Sequence, residues 1–182
     1  RAKNSIYRKD LKHYANHTKC PTAVFFKHLF RVSVNQIIWG ANYYPQYMVH
    51  SGWVVWDKKK KDGLLSQAEL AFQSFDKIVR IFECEWEGFR KGPGSFEATC
   101  KQTIHPNQKP NSLYVYLLET FAKPGDTILD THLGSGSIAI ACIDLGLSLT
   151  AYELDEHYLI KTIKRIENHL KQGRLFGPIW SN

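Results

Sequence analysis

The spacing of apolar residues changes several times along this chain, and each change marks an element. Residues 21–30 carry apolar positions at helical intervals, with Pro21 suited to a first turn. Residues 35–39 and 53–56 are short runs rich in β-branched and aromatic side chains, which fits buried strands. Residues 69–75 suit strand or helix equally, whereas 77–82 alternate as a strand does. Residues 83–104 have no clear period and contain Gly88, Gly92, Pro93 and Gly94, so they predict a long loop. Beyond it, Leu113, Tyr114, Leu117, Leu118 and Phe121 lie on one helical face. A strand ending at Asp130, an amphipathic helix over 136–145 and a strand over 148–153 follow. A last helix is expected to bury Leu159, Ile163, Ile166 and Leu170. Strands alternating with helices predict an α/β sheet covered on both faces, without internal repeats or a low-complexity linker.

With 182 residues and 43% hydrophobic content, the chain can build one substantial core. No apolar run approaches the roughly 18 residues of a membrane span. Cys20, Cys84, Cys100 and Cys142 form no C-x-x-C pair and the eight histidines are dispersed. Reduced thiols in a cytoplasmic protein are therefore expected, and no metal site. Charge sharpens this picture. Residues 1–61 hold 12 Lys and Arg against Asp10 and Asp57, while residues 62–182 hold 12 against 15 acids. A basic half beside a near-neutral half suits a protein that grips phosphates on one side. Lys58, Lys59, Lys60 and Lys61 are the densest patch, and Arg1, Lys3, Arg8, Lys9, Lys12 and Lys19 form a second. Either is also what a solvated loop looks like. In the long loop, Trp86, Phe89, Arg90, Lys91 and Lys101 offer aromatic and basic contacts. Most tryptophans and tyrosines fit a core, but Tyr43 and Tyr44, past a strand end, are expected to reach the active-site side.

The candidate chemistry centres on Asp130-Thr131-His132-Leu133-Gly134-Ser135-Gly136-Ser137. Two glycines between a strand and a helix let a ligand approach bare backbone at a helix N-terminus. Many strand–helix turns carry Gly-x-Gly with no ligand. Here, however, the next strand ends in Glu153, and a carboxylate at that position can accept both hydroxyls of a ribose. Together these predict a site for an adenosine-containing cofactor. A dinucleotide such as NAD stays open, because Ala139 at the third-glycine position is accepted by some such sites. Upstream, His105-Pro106-Asn107-Gln108-Lys109-Pro110 leads into a helix. Lys109 would stand at its N-terminus, where ammonium and backbone N–H groups can both meet a carboxylate.

The order of these pieces resembles the β-group amino-methyltransferases of DNA, of the phage and restriction–modification adenine type. It consists of His-Pro-x-Gln-Lys-Pro, a helix, Lys123-Pro124-Gly125-Asp126, a strand ending in Asp, and Gly-Ser-Gly. Ile37-Ile38-Trp39-Gly40-Ala41-Asn42-Tyr43-Tyr44, Gly52-Trp53-Val54-Val55-Trp56-Asp57-Lys58 and Ala68-Glu69-Leu70-Ala71-Phe72 match family segments in the same order. The resemblance implies a class I, Rossmann-like methyltransferase sheet with helices on both faces and permuted halves. It implies one domain, with residues 1–82 the catalytic, DNA-facing half, 83–104 a recognition loop and 105–182 the cofactor half.

By the same resemblance the cofactor is S-adenosylmethionine and the target an exocyclic amine of a DNA base, with adenine N6 favoured over cytosine N4. Lys109 would hold the methionine carboxylate, Asp130 its amino group, and Glu153 the ribose hydroxyls. His132, Gly134 and Gly136 would line the turn, although the family commonly has an aromatic residue where Thr131-His132 stands. DNA contacts would come from Lys58, Lys59, Lys60, Lys61, Arg90 and Lys91. The implied partners are double-stranded DNA, a second copy of the chain in a homodimer, and a cognate restriction endonuclease, with no membrane. The family's Asp-Pro-Pro-Tyr or Ser-Pro-Pro motif is absent from these residues. It is expected upstream of Arg1 together with two strands, so the chain alone is expected not to methylate. Two other readings predict different behaviour. An NAD-type Rossmann protein would bind NAD, and a non-catalytic DNA-binding remnant would bind DNA without regard to cofactor.

Overall fold

The computed structural model describes residues 21–49, 52–59, 66–85 and 103–176. The basic stretch before Pro21, Lys60, Lys61, and most of the expected loop, with Trp86, Phe89, Arg90, Lys91 and Lys101, lie outside the described residues. The chain divides into two compact units, Arg1–Glu85 and Trp86–Asn182.

In the first unit, helix α1 (Ala23–Val32) begins after Thr22, whose extended backbone ends the preceding segment, so Pro21 stands before the helix instead of in its first turn. Strand β1 (Ile37–Trp39) runs into two short 3₁₀ turns, Ala41–Tyr43 and Pro45–Tyr47. Strands β2 (Gly52–Asp57), β3 (Ala68–Gln73) and β4 (Val79–Glu83) then follow, with no helix between them among the described residues. The expected alternation of strand and helix therefore does not hold here. The sheet is mixed, in the order β1-β3-β2-β4, antiparallel except for β2 with β4. Pairing on both edges makes the ambiguous 69–75 segment strand as far as Gln73, with Ser74 and Phe75 in the connection beyond it. Val54, Trp56, Ala71 and Phe72 are the sheet's buried hydrophobic residues, and Trp39 meets Trp56 edge to face at 6.4 Å between centroids.

A tight crossing takes the chain from β3, on one side of β2, to β4 on the other. It passes over Gly52, where an added Cβ would lie 2.1 Å from the Asp76 carbonyl oxygen. Only glycine fits there. The fully buried Gln73 amide holds the crossing together. Its Nε2 donates to Asp76 O at 3.0 Å, Asp76 Oδ1 at 2.6 Å and Ile78 O at 3.1 Å, and its Oε1 accepts from Phe75 N at 2.8 Å and Asp76 N at 3.1 Å. Arg80 closes on both Asp76 oxygens at 2.9 and 2.7 Å, and its guanidinium holds that carboxyl far below the usual carboxylate range.

The second unit contains helix α2 (Asn111–Phe121), strand β5 (Thr127–Asp130), helix α3 (Ser137–Asp144), strand β6 (Ser148–Ala151) and helix α4 (Glu156–Phe176). Strands β5 and β6 pair in parallel, Asp130 opposite Ala151, as a strand–helix–strand unit requires. Leu118 of α2 packs on Ala141 and Cys142 of α3, with Ile128 and Leu149 of the strands against them. Burial pushes the Cys142 thiol up to about 11, so it behaves as a core side chain. Among the described residues no helix is long and apolar enough to cross a membrane.

Helix α4 departs from expectation. Ile163 and Leu170 are 48% and 41% exposed, while Tyr158 and Thr162 are buried and Arg165, Ile166 and His169 are half-buried. The inward face is thus rotated from the predicted apolar stripe, and part of it is polar. The reason lies in the turn it covers, whose carbonyl oxygens need donors.

Candidate cofactor site

The site of the second unit is built where β5 ends. Beyond the paired strands, Tyr152 N donates to Asp130 O and Leu133 N to Tyr152 O, both at 2.9 Å. These two bonds extend the ladder around the strand ends and carry Glu153 alongside the glycine turn. Its Oε2 accepts from Gly134 N at 2.8 Å and its Oε1 from Asp155 N at 2.9 Å. Each carboxylate oxygen has a second lone pair, so the group can still accept from a diol while the two amides hold it in place.

Gly134 and Gly136 both adopt left-handed backbone, with φ of +54° and +71°. The turn closes by Gly136 N donating to Leu133 O at 2.9 Å, and Ile140 N then donates to Gly136 O at 3.1 Å to start α3. The two glycines are not equivalent. A Cβ on Gly134 would meet the His105 ring at 3.6 Å, an ordinary contact, but on Gly136 it would lie 2.5 Å from the Thr162 methyl.

Asp130 sits beneath the turn and accepts from His132 N at 2.9 Å. Burial holds its carboxyl above the usual carboxylate value, with Glu153 adding to the rise while the His132 bond and the nearby Lys109 charge oppose it. Such a carboxylate gains from a cationic ligand, because an ammonium group would offset its desolvation. The His132 side chain is exposed, with Nδ1 2.9 Å from Thr131 Oγ1.

The His105-to-Pro110 segment folds as a compact turn against this structure. Gln108 N donates to His105 O at 3.1 Å, and the buried Gln108 side chain accepts from Ile104 N at 3.0 Å. Asn107 N donates to His105 Nδ1 at 3.2 Å, which places the proton of the neutral ring on Nε2. Burial pushes the imidazole below its ordinary value, and its ring meets Tyr158 edge to face at 4.5 Å. The Lys109 carbonyl accepts from Ser137 Oγ at 2.7 Å, so the start of α2 is bonded directly to the start of α3. The structure therefore brings Lys109, Asp130, His132, Gly134, Gly136 and Glu153 to one end of the β5–β6 pair.

The match to known families is consistent with this geometry. Residues 35–165 match the DNA methylase family N6_N4_Mtase. The chain belongs to that family.

The chain is 30% identical over 64 residues, 35% of its length, to the type II methyltransferase M.HpaI of Haemophilus parainfluenzae. It is 35% identical over 63 residues, again 35% of the chain, to the type II methyltransferase M2.DpnII of Streptococcus pneumoniae. The matched stretches span only 20% and 24% of these two relatives. The crystal structure of the M1.HpyAVI–SAM complex shares the fold, with a TM-score of 0.53 at 18% identity over 72% of this chain and 74% of that one. The chain thus shares the α/β fold of that structure.

In the first unit, two of the expected DNA-contacting lysines are engaged within the protein. Lys58 Nζ lies 2.8 Å from Glu69 Oε1 and 5.1 Å from the Trp56 ring centre. Lys59, at φ +53°, pairs with Glu83 and also bears on Asp57 at 3.8 Å. Tyr44 does not reach outward. It packs on Phe26 at 5.1 Å between centroids, and its hydroxyl donates to Trp39 O at 3.0 Å. Tyr43 is 75% exposed.

Sequence reasoning missed Thr162, Arg165 and Asp155. Thr162 Oγ1 donates to Gly134 O at 2.5 Å. Asp155 Oδ1 accepts from His157 N at 2.9 Å and Tyr158 N at 3.3 Å, capping α4 beside Glu153. The cap is legible as an Asp just before a helix. Thr162 becomes visible only once the glycine turn's carbonyls are known to need donors.

Proposed function

We propose that the protein containing this chain transfers a methyl group from S-adenosylmethionine to an exocyclic amine of a DNA base, adenine N6 in preference to cytosine N4. The observation that carries the reading is Glu153, fixed by Gly134 N and Asp155 N at the strand end beside the left-handed glycine turn. That arrangement fits a ribose held at the strand end beside a glycine turn. Glu153 would accept the ribose hydroxyls, Asp130 the methionine ammonium, and Lys109 with the first turn of α2 the carboxylate. His132 would line the outer side of the turn.

S-adenosylmethionine would supply an electrophilic sulfonium methyl: an N–C bond to the base amine forms as the C–S bond breaks, the thioether S-adenosylhomocysteine leaves, and the nitrogen gives up a proton. The chain's residues contribute by position: a cofactor held at ribose, ammonium and carboxylate has little freedom left at its sulfur. Restricting that freedom is the main lever for an in-line displacement. A base within a duplex must leave the stack before its amine can reach such a site. The basic patch of Lys58 to Lys61, with Arg90 and Lys91, would hold the phosphates of that duplex, in the cytoplasm where DNA and cofactor meet. A homodimer and a cognate restriction endonuclease belong to the same proposal.

The test is calorimetric titration of the full protein with S-adenosylmethionine, S-adenosylhomocysteine and NAD, followed by transfer of labelled methyl to DNA. Binding of the first two but not NAD, with label in N6-methyladenine, is the expected result. NAD binding, or DNA binding unaffected by either adenosyl ligand, would overturn it.

A further inference from the structure

Arg165, to which the proposed cofactor roles assign nothing, projects from α4 to a junction of the α2 and α3 starts. Its Nη1 donates to Ser135 O at 2.7 Å and to Ser137 Oγ at 3.0 Å, and its Nη2 donates to Asn111 Oδ1 at 2.9 Å. Ser137 Oγ spends its own hydrogen on Lys109 O at 2.7 Å. With that hydrogen committed, the 3.2 Å contact between Ser135 Oγ and Ser137 Oγ must have Ser135 as donor. One planar guanidinium thus joins three segments far apart in sequence: the Lys109–Asn111 start of α2, the Ser135–Ser137 start of α3, and α4 itself.

Two of these segments are helix N-termini, each with backbone donors and the positive end of a helix dipole. These positive ends repel one another, and a single hydrogen bond, Ser137 Oγ to Lys109 O, joins them directly before the guanidinium is counted. A guanidinium adds a third positive charge, so attraction of charges does not explain its place. It is there because its rigid fork can reach a carbonyl oxygen, a hydroxyl and an amide oxygen at once, which a lysine ammonium on a flexible stem does less well. All three contacts are made to oxygen atoms, so the guanidinium occupies no backbone N–H of either helix start.

We propose that Arg165 is a positioning residue that sets the distance between the two arms of the cofactor site. One arm is the glycine turn with Glu153, and the other is Lys109 with the start of α2. This rests on the cofactor reading above, in which the first arm takes the nucleoside and the second the amino-acid end. Loss of Arg165 then loosens the grip on the amino-acid end and leaves the nucleoside end largely as it was.

Two ligands separate the arms. S-adenosylhomocysteine engages both, whereas 5′-methylthioadenosine keeps adenine, ribose and thioether but has no amino or carboxylate group. Both are titrated calorimetrically into the full protein and into its Arg165→Gln and Arg165→Lys variants, with unliganded melting recorded alongside. The Gln variant is expected to bind S-adenosylhomocysteine about tenfold more weakly or worse, as loss of charge-assisted hydrogen bonds implies. Its affinity for 5′-methylthioadenosine should change less than about twofold, with the Lys variant between wild type and Gln. Equal losses for the two ligands would show a general packing role and overturn the proposal, as would failure of both variants to fold. If only Gln fails to fold, the ratio in the Lys variant decides. A wild-type protein that binds neither ligand would instead defeat the cofactor reading itself.

Discussion

Replacing Gly136 by Ala tests the glycine turn most directly, because the neighbouring Gly134 provides an internal control. Both residues have positive φ. An alanine at either therefore carries the cost of left-handed backbone, about 1–2 kcal/mol. At Gly134 little more is added, since the new methyl meets the His105 ring at 3.6 Å. At Gly136 it would lie 2.5 Å from the Thr162 methyl. Thr162 cannot swing aside easily, being fully buried with its hydroxyl 2.5 Å from Gly134 O. Overpacking of this kind costs about 1–3 kcal/mol, so Gly136→Ala should destabilise by about 2–5 kcal/mol in all. Thr162→Ser removes the clashing methyl and keeps the hydroxyl donor. In the double variant the steric part should disappear, giving a coupling of about 1–3 kcal/mol in a double-mutant cycle. Urea unfolding of the full protein at constant pH measures all four species. If Gly136→Ala is no more costly than Gly134→Ala, or if Thr162→Ser recovers nothing, the steric argument is wrong.

Three further expectations follow from the same geometry. Glu153→Gln leaves an amide where two backbone N–H groups now meet a carboxylate, so S-adenosylmethionine should bind about 10–100-fold more weakly; calorimetry showing a change within twofold would remove Glu153 from the site. Asp130 has its folded pKa raised, first by burial, so the folded state keeps its proton to higher pH than the unfolded chain and stability falls as pH rises from the ordinary carboxylate value through the folded one. Asp130→Asn should therefore raise the unliganded melting temperature at neutral pH and flatten that pH dependence, while weakening cofactor binding; an unchanged pH profile would refute it. In salt titrations of DNA binding, Lys60→Ala or Lys61→Ala should each lower the log–log slope by about 0.9, and Lys58→Ala by clearly less, because Glu69 holds its ammonium at 2.8 Å. An equal drop for Lys58 would mean that the ion pair opens on DNA.

The second unit was more legible than the first, for a physical reason. Its elements are single periodic segments: the leucines at 113, 117 and 118 lie on one buried face, and the glycine turn is marked by residues chosen for φ. The first unit depends on pairing between distant segments. Nothing within residues 69–75 reveals that β3 is flanked on both sides, which is what makes it a strand. Helix α4 misled in the opposite way. Its leucine and isoleucines offer an apolar stripe, yet Thr162 and Arg165 turn inward to donate to Gly134 O and Ser135 O. Hydropathy ranks side chains by their transfer from water, and it misses a helix whose task is to satisfy another segment's carbonyl groups. Tyr44 shows the same limit, since its hydroxyl found a partner inside the fold, at Trp39 O.

The crossing over Gly52 gives part of the sheet an unusual exchange behaviour. Surface connections ordinarily let amide protons go to solvent through small local openings, while strand amides wait for larger ones. Here Phe75 N and Asp76 N are held by the Gln73 side chain, and Ile78 N by Asp76 Oδ1. None of these three can be released without disturbing a buried amide wedged beside the first residue of β2. Their protons should leave together with those of the strands, so in an exchange experiment the connection between β3 and β4 belongs to the sheet it crosses.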